Sequence, residues 1–282
     1  MMKFGLSLRN TGPGSSPEAI EAGAETVERL GWESVWTTDH VLVPASAASE
    51  YGRTFEVIET LAWVGARHPS VKLGTSVIVV PQRNAVLLAK ELATLDVLSG
   101  GRVIAGVGIG WNETEFSNLG MADRFHRRGA YLDETIRLWR HLWSGSSEPF
   151  RGAFHEFSDF VFGPLPIARD RLPIVVGGAS PAALSRAGTL ADGYQATRST
   201  PVEMAGRIPI VRAAAEAAGR PMPSLAVRWP VTTDRSAMLR DIRAFEDMGV
   251  RQLVLVFAET DPSILAAALE RFDTEVVKAL AG

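Results

Sequence analysis

Lys72-Leu73-Gly74-Thr75-Ser76-Val77-Ile78-Val79-Val80 is a nearly continuous apolar run. Alternation is absent from it, which suits a parallel strand buried on both faces. Ala85 to Leu98 then reads as a helix that stops at Ser99-Gly100-Gly101, and Arg102 to Ile109 reads as the next strand. Strand, helix, strand is the unit that a right-handed crossover between parallel strands requires.

The same rhythm extends in both directions. Upstream, Lys3 to Leu8 is a strand, and Ser16-Pro17-Glu18 supplies an N-cap, a first-turn proline and a first-turn acid for a helix ending at Gly31. Ser34 to Thr37 is the second strand, followed by a polar loop and a helix over 54–67. Downstream, a long helix covers about 127–143. Strands at Pro173 to Val176, Tyr194 to Thr197, Leu225 to Val231 and Gln252 to Phe257 alternate with helices over 181–190, 202–218, 237–248 and 263–279. Residues 149–166, with Phe150-Arg151-Gly152-Ala153-Phe154, break the rhythm as a small hairpin excursion. Eight strands and about as many helices predict one α/β domain over 1–282, a (β/α)8 TIM barrel. A barrel of this kind takes roughly 250 residues. A doubly wound open sheet is the competing topology, disfavoured because no G-x-G-x-x-G turn follows the first strand.

Composition narrows the function. Apolar residues at 46% and charged residues at 22% suffice for a large core without staples. The net charge of −3 is spread without a basic stripe, which argues against a nucleic-acid partner. The chain has no cysteine, so disulfides, thiolate nucleophiles and cysteine metal sites are excluded. Met1-Met2-Lys3 leads straight into a strand rather than a leader, and no apolar run is long enough for a membrane span; the expectation is a cytoplasmic enzyme.

Catalytic groups of a barrel come from the loops after its strands. Those loops offer Arg9 and Asn10; Asp39 and His40; Gln82, Arg83 and Asn84; Gly108, Gly110, Trp111, Asn112 and Glu113; Gly177, Gly178 and Ser180; Arg198; Thr232, Thr233 and Asp234; and Glu259. Asp39-His40 is the sharpest pair, either a general acid/base set or a turn-capping Asp beside a partly buried His. His68, His126, His141 and His155 show no metal spacing and read as surface or helix residues; no metal is expected. Gly177-Gly178-Ala179-Ser180-Pro181 puts two glycines before a helix N-terminus, an anion site or merely a tight turn. Gly106, Gly108 and Gly110 share one strand face. Either a flat ring lies against that face, or neighbouring layers pack tightly there. Trp36, Trp111 and Trp229 sit near strand ends, as pocket walls or as core.

Read together, Trp36-Thr37-Thr38-Asp39-His40, Leu73-Gly74-Thr75-Ser76-Val77, Pro81-Gln82-Arg83-Asn84, Ala93 to Arg102, Gly106 to Trp111, Glu115-Phe116, Arg128-Gly129, Leu132-Asp133-Glu134, Gly177 to Pro181 and Ala191-Asp192-Gly193 resemble the luciferase-like superfamily, in particular its coenzyme F420-dependent class. The order and spacing of these pieces carry the resemblance along most of the chain. It implies a ring system in the barrel mouth, pressed by a non-proline cis peptide at Ser76-Val77. It places Asp39 and His40 beside the ring and Gly177, Gly178 and Ala179 or Ser180 around the phosphate; with Ser76 and Val77 of the cis peptide and Gly108 of the glycine face, these are the cofactor-binding candidates. His40 would be catalytic, and Asn10 and Trp111 would line the substrate pocket. The chain departs from the sugar-phosphate dehydrogenases of that class, which carry a catalytic glutamate where Trp111 stands; Glu113 is near but reads as a partner of Arg128.

The implied function is hydride transfer between the deazaflavin F420 and a small organic substrate. An FMN-dependent two-component monooxygenase, fed reduced flavin by a separate reductase, is the near alternative. A cofactor-free isomerase or lyase acting on a phosphorylated substrate and a non-catalytic ligand-binding barrel are the distant ones. The resemblance also implies a homodimer formed by helices beside strands two to four.

Overall fold

The computed structural model describes residues 2–281. Among them, eight parallel strands form the barrel: β1 (Lys3–Ser7), β2 (Ser34–Thr37), β3 (Lys72–Thr75, resuming at Ile78–Val79), β4 (Val103–Gly108), β5 (Ile174–Gly177), β6 (Gly193–Thr197), β7 (Ser224–Pro230) and β8 (Val250–Val256). The sheet closes because β1 pairs with β8 (Phe4 opposite Leu253) as well as with β2 (Leu6 opposite Val35). Closure removes the open-sheet alternative. Outside lie α1 (Pro17–Arg29), α2 (Val57–Arg67), α3 (Ala85–Leu98), α4 (Arg128–Ser144), α5 (Pro181–Leu190), α6 (Pro201–Ala217), α7 (Arg235–Asp247) and α8 (Pro262–Phe272).

Local sequence sets most boundaries. Ser16, Asn84, Ser180, Asp234 and Asp261 each accept first-turn amides, and Thr200 with Glu203 forms a capping box. The helix expected from residue 54 starts at Val57, because the Glu56 carboxylate caps Ile58 and Glu59. The strand expected over 72–80 is broken at Ser76-Val77, whose peptide is cis. The last helix passes into a π-helical turn at Asp273–Val277. Three short helices were not anticipated: Ala48–Tyr51, Glu113–Asn118 and Ala122–Phe125.

Packing ties the outer layer to the barrel. Trp139 and Trp143 of α4 pack tilted against each other at 5.3 Å and donate to the carbonyls of Ala85 and Ala89 on α3. Arg102 donates to the carbonyls of Gly65, His68, Val71 and Ser99, closing the bottom of β3 and β4. The excursion is a two-stranded hairpin, Phe150–Arg151 against Glu156–Phe157. Glu134 holds its turn by accepting the amides of Ala153, Phe154 and His155. No helix among the described residues is long and apolar enough to cross a membrane.

Candidate active site

The strand ends converge on a cavity of about 440 Å³. Asp39 and His40 follow β2 directly, and adjacent positions send their side chains in different directions. Asp39 is buried and accepts Val79 N–H (2.9 Å), Arg83 Nε (3.1 Å) and Arg83 Nη2 (2.6 Å). A buried carboxylate is tolerable only when so compensated. Burial works against the Arg83 charge, but Asp39 and then Glu56 outweigh it and hold Arg83 above its ordinary value. Asp39 therefore fastens the β3 loop to β2 at the cavity edge.

His40 turns instead to Glu115, with Nδ1 3.1 Å from Oε2. Glu115 sits on the short helix Glu113–Asn118, whose N-cap Asn112 accepts the Glu115 amide. Its other oxygen accepts Val41 N–H at 2.7 Å. Burial alone would raise the Glu115 carboxyl. Hydrogen bonds from His40 and Val41, and the field of His40, reverse this and hold it below the usual carboxylate range. An ionised Glu115 needs a donor, so the proton of a neutral His40 belongs on Nδ1, and Nε2 is the nitrogen left to the cavity. Tyr51 lies 4.1 Å from the His40 ring, and Trp111, 61% exposed, closes the mouth edge-on at 6.3 Å.

The facing wall is built from β3, β4 and β5. Ser76 Oγ donates to the buried Gln195 (2.5 Å), and Val77 leans over β4. A Cβ on Gly106 would fall on the Thr75 carbonyl, one on Gly108 on Val77 Cγ2, and one on Gly110 2.6 Å from Val79 Cγ1. The alternating glycines of β4 thus make room for residues 75, 77 and 79 of β3, which decides between the two readings in favour of tight packing. From β5, Gly177 would bring a Cβ within 2.8 Å of Val77 Cγ1. The cavity-facing side chain of this wall is then Val77 itself, clasped between Gly108 and Gly177. Gly178, at φ +133°, turns the chain toward α5, and its carbonyl accepts Tyr194 Oη–H at 2.9 Å.

The matching family model, luciferase-like monooxygenase, covers residues 2–267. The chain belongs to the luciferase-like monooxygenase family. An F420-dependent glucose-6-phosphate dehydrogenase of Amycolatopsis mediterranei is 32% identical over 206 residues, 72% of this chain and 60% of the dehydrogenase. The chain spans less than two thirds of that relative. Among solved structures, an F420-dependent secondary alcohol dehydrogenase in complex with an F420-acetone adduct superposes with TM-score 0.82 at 19% identity, covering 98% of this chain and 99% of that one. The FMN-bound oxygenating constituent of 3,6-diketocamphane monooxygenase from Pseudomonas putida superposes with TM-score 0.77 at 15% identity, with 98% of each chain covered. These similarities establish a shared luciferase-like barrel.

Within this luciferase-like barrel, Asp39, His40, Ser76, Val77, Gly108, Trp111, Gly177 and Gly178 all line one cavity. Ala179 and Ser180 are exposed beyond its rim, with Ser180 capping α5. Asn10 is corrected from pocket residue to brace: it is wholly buried, its amide donating to the carbonyls of Thr38 and Phe55 and accepting Thr38 N–H. Trp36 and Trp229 belong to the core. Glu113 faces solvent near His126 at 3.6 Å, not Arg128. Thr232 and Thr233 lie outside the cavity, and Asp234 caps α7. His68 and His155 are not surface residues but pair with Glu28 and Glu134. Sequence reasoning missed Glu115, Tyr51 and Arg228. Glu115 lay inside the matching motif, whereas nothing local marked the other two.

Proposed function

We propose that this chain is an oxidoreductase that uses the deazaflavin coenzyme F420 to carry a hydride to or from a small organic substrate, with His40 exchanging the proton. The observation that carries the reading is His40, fixed by the buried Glu115 and presenting Nε2 to a cavity whose far wall is smooth. The names of the dehydrogenase relatives support the same cofactor.

The residues present fit a deazaflavin. Val77, seated on Gly108 and Gly177, presents one small apolar side chain on which a flat ring would rest, and the Gly177-Gly178 turn leaves backbone open to a phosphate. Ser180 keeps a hydroxyl proton to donate, since its oxygen serves Ala183 N–H. The coenzyme, when bound, supplies a two-electron hydride carrier. The protein supplies the rest: Glu115 fixes the tautomer of His40, Nε2 of His40 gives or takes a proton at the substrate oxygen, and Tyr51 with Trp111 screens that exchange from water. Burial raises the Tyr51 hydroxyl, aided by Glu50, so it stays protonated near neutral pH.

Fluorescence titration with F420 and, separately, with FMN tests the reading. Tight F420 binding supports it. Preference for FMN would replace it with a monooxygenase supplied by a separate reductase. Binding of neither would bring forward the isomerase or lyase acting on a phosphorylated substrate.

A further inference from the structure

The cavity carries charge that the His40–Glu115 pair does not explain. Arg9, Arg198 and Arg228 line it, against Asp39 and Glu50. Asp39 is already neutralised by Arg83, which is not a lining residue, and Glu50 is exposed at the rim, where it accepts Tyr51 Oη–H. Arg9 is spent on the carbonyls of Phe257 and Glu259. Arg228, projecting from β7, is different. Nη2 donates to the hydroxyls of Ser7 (3.0 Å) and Thr38 (3.4 Å), while Nε is buried with no acceptor. Among the described residues no carboxylate pairs with it. Burial and then the neighbouring Arg198 charge push its pKa down to about 10.

Arg198 reinforces the pattern. It follows β6 in a left-handed conformation, φ 50°, and its amide donates to the Arg228 carbonyl at 2.8 Å. A non-glycine residue rarely adopts that region, and such outliers gather at ligand clamps. The two arginines thus line one cavity from neighbouring strand ends, Arg198 exposed and Arg228 largely buried, so their like charges face the same space.

We propose that Arg228, assisted by Arg198, binds the carboxylate of the substrate, so that the substrate is a small organic acid. Carboxylate rather than a distal phosphate follows from closeness. Arg228 reaches Thr38, two residues before His40, and Arg228, Tyr51 and His40 line the same cavity, so anion site and proton site share one small space. A sugar phosphate would place its anion at the far end of a longer chain. The inference rests on the proposed function for its reacting centre, but anion binding is measurable without turnover.

The experiment is calorimetric and thermal-shift titration of the purified protein, with and without F420, using straight-chain 2-oxo acids of three to six carbons, their methyl esters and inorganic phosphate. Arg228→Met and Arg228→Lys are compared with the natural protein. The expected result is that at least one acid binds, its ester does not, and Arg228→Met weakens the acid about 30-fold or more. Arg228→Met should melt no lower than the natural protein, because a buried unpaired cation is removed, while Arg228→Lys keeps weaker binding. A merely structural arginine predicts the opposite, a lower melting temperature. Three results overturn the proposal: acid and ester binding equally, phosphate binding through Arg228 as well as any acid, or Arg228→Met abolishing F420 binding with no effect of acids. Failure of F420 to bind the natural protein would remove the proposed function yet leave the acid titration readable.

Discussion

His40 Nδ1 lies 3.1 Å from Glu115 Oε2 although 75 residues separate the two. The pair joins the loop after β2 to the helix after β4 and gives the cavity one oriented imidazole. His40→Ala should lower kcat by about 10²- to 10⁴-fold and leave cofactor affinity nearly unchanged; unchanged turnover would remove His40 from the mechanism. Glu115→Gln, at a positioning residue, should lower kcat by about 10- to 100-fold with KM little altered. The Glu115 carboxyl is depressed in the folded state, so its stabilisation is present above its unfolded value near 4.3 and lost as pH falls through the folded value. A melting-temperature profile should therefore drop on the acid side in the natural protein and less so in Glu115→Gln. Identical profiles would show that the pair contributes nothing to folding.

Gly108 and Val77 test the packing account of β4. Gly108→Ala should push Val77 into the cavity and cost about 1–3 kcal/mol. Adding Val77→Ala should recover most of that loss, because the colliding methyl is gone. Urea melts of the two single variants and the double variant give the coupling. Strictly additive losses would mean that Gly108 is required for another reason.

Gly178→Asp should weaken cofactor binding by at least about tenfold. Its φ of +133° is strained for any side chain, a Cβ would sit 2.8 Å from that of Ala183, and the added charge would repel a phosphate. An unchanged dissociation constant by fluorescence titration would refute the phosphate turn.

We expect a homodimer through the outer face of α3. This helix packs its inner side in the core and leaves Leu87 and Leu98 57% and 80% exposed, with Val86 and Val97 beside them and only Lys90, Glu91 and Thr94 half-exposed between. Such a helix is normally covered. Sedimentation should give a dimer that Leu87→Glu with Leu98→Glu converts to monomer. A monomeric natural protein would end this reading.

The barrel was legible because its evidence is local. The apolar runs of β3 and β4, the caps at Ser16, Asn84 and Ser180, and the glycine stops at Gly31 and Gly100 each speak through a few neighbouring residues. Asp39, His40 and the Gly177-Gly178 turn were readable for the same reason, each standing where a strand ends.

Roles set by distant partners were not legible. Asn10 and Arg228 are both polar residues on or just after a strand, yet Asn10 meets the carbonyls of Thr38 and Phe55 and becomes a brace, while Arg228 meets no carboxylate among the described residues and lines the cavity. The glycines of β4 looked equally fit for a ligand or for packing until β3 was seen to lean on them. Sequence alone determined the alternation of strand and helix, hence the barrel and the ends at which its site lies, because periodicity and capping are short-range. Only tertiary structure decided that Glu115 orients His40 and that Arg228 is left unpaired, because both depend on which side chains closure of the barrel brings within hydrogen-bonding distance.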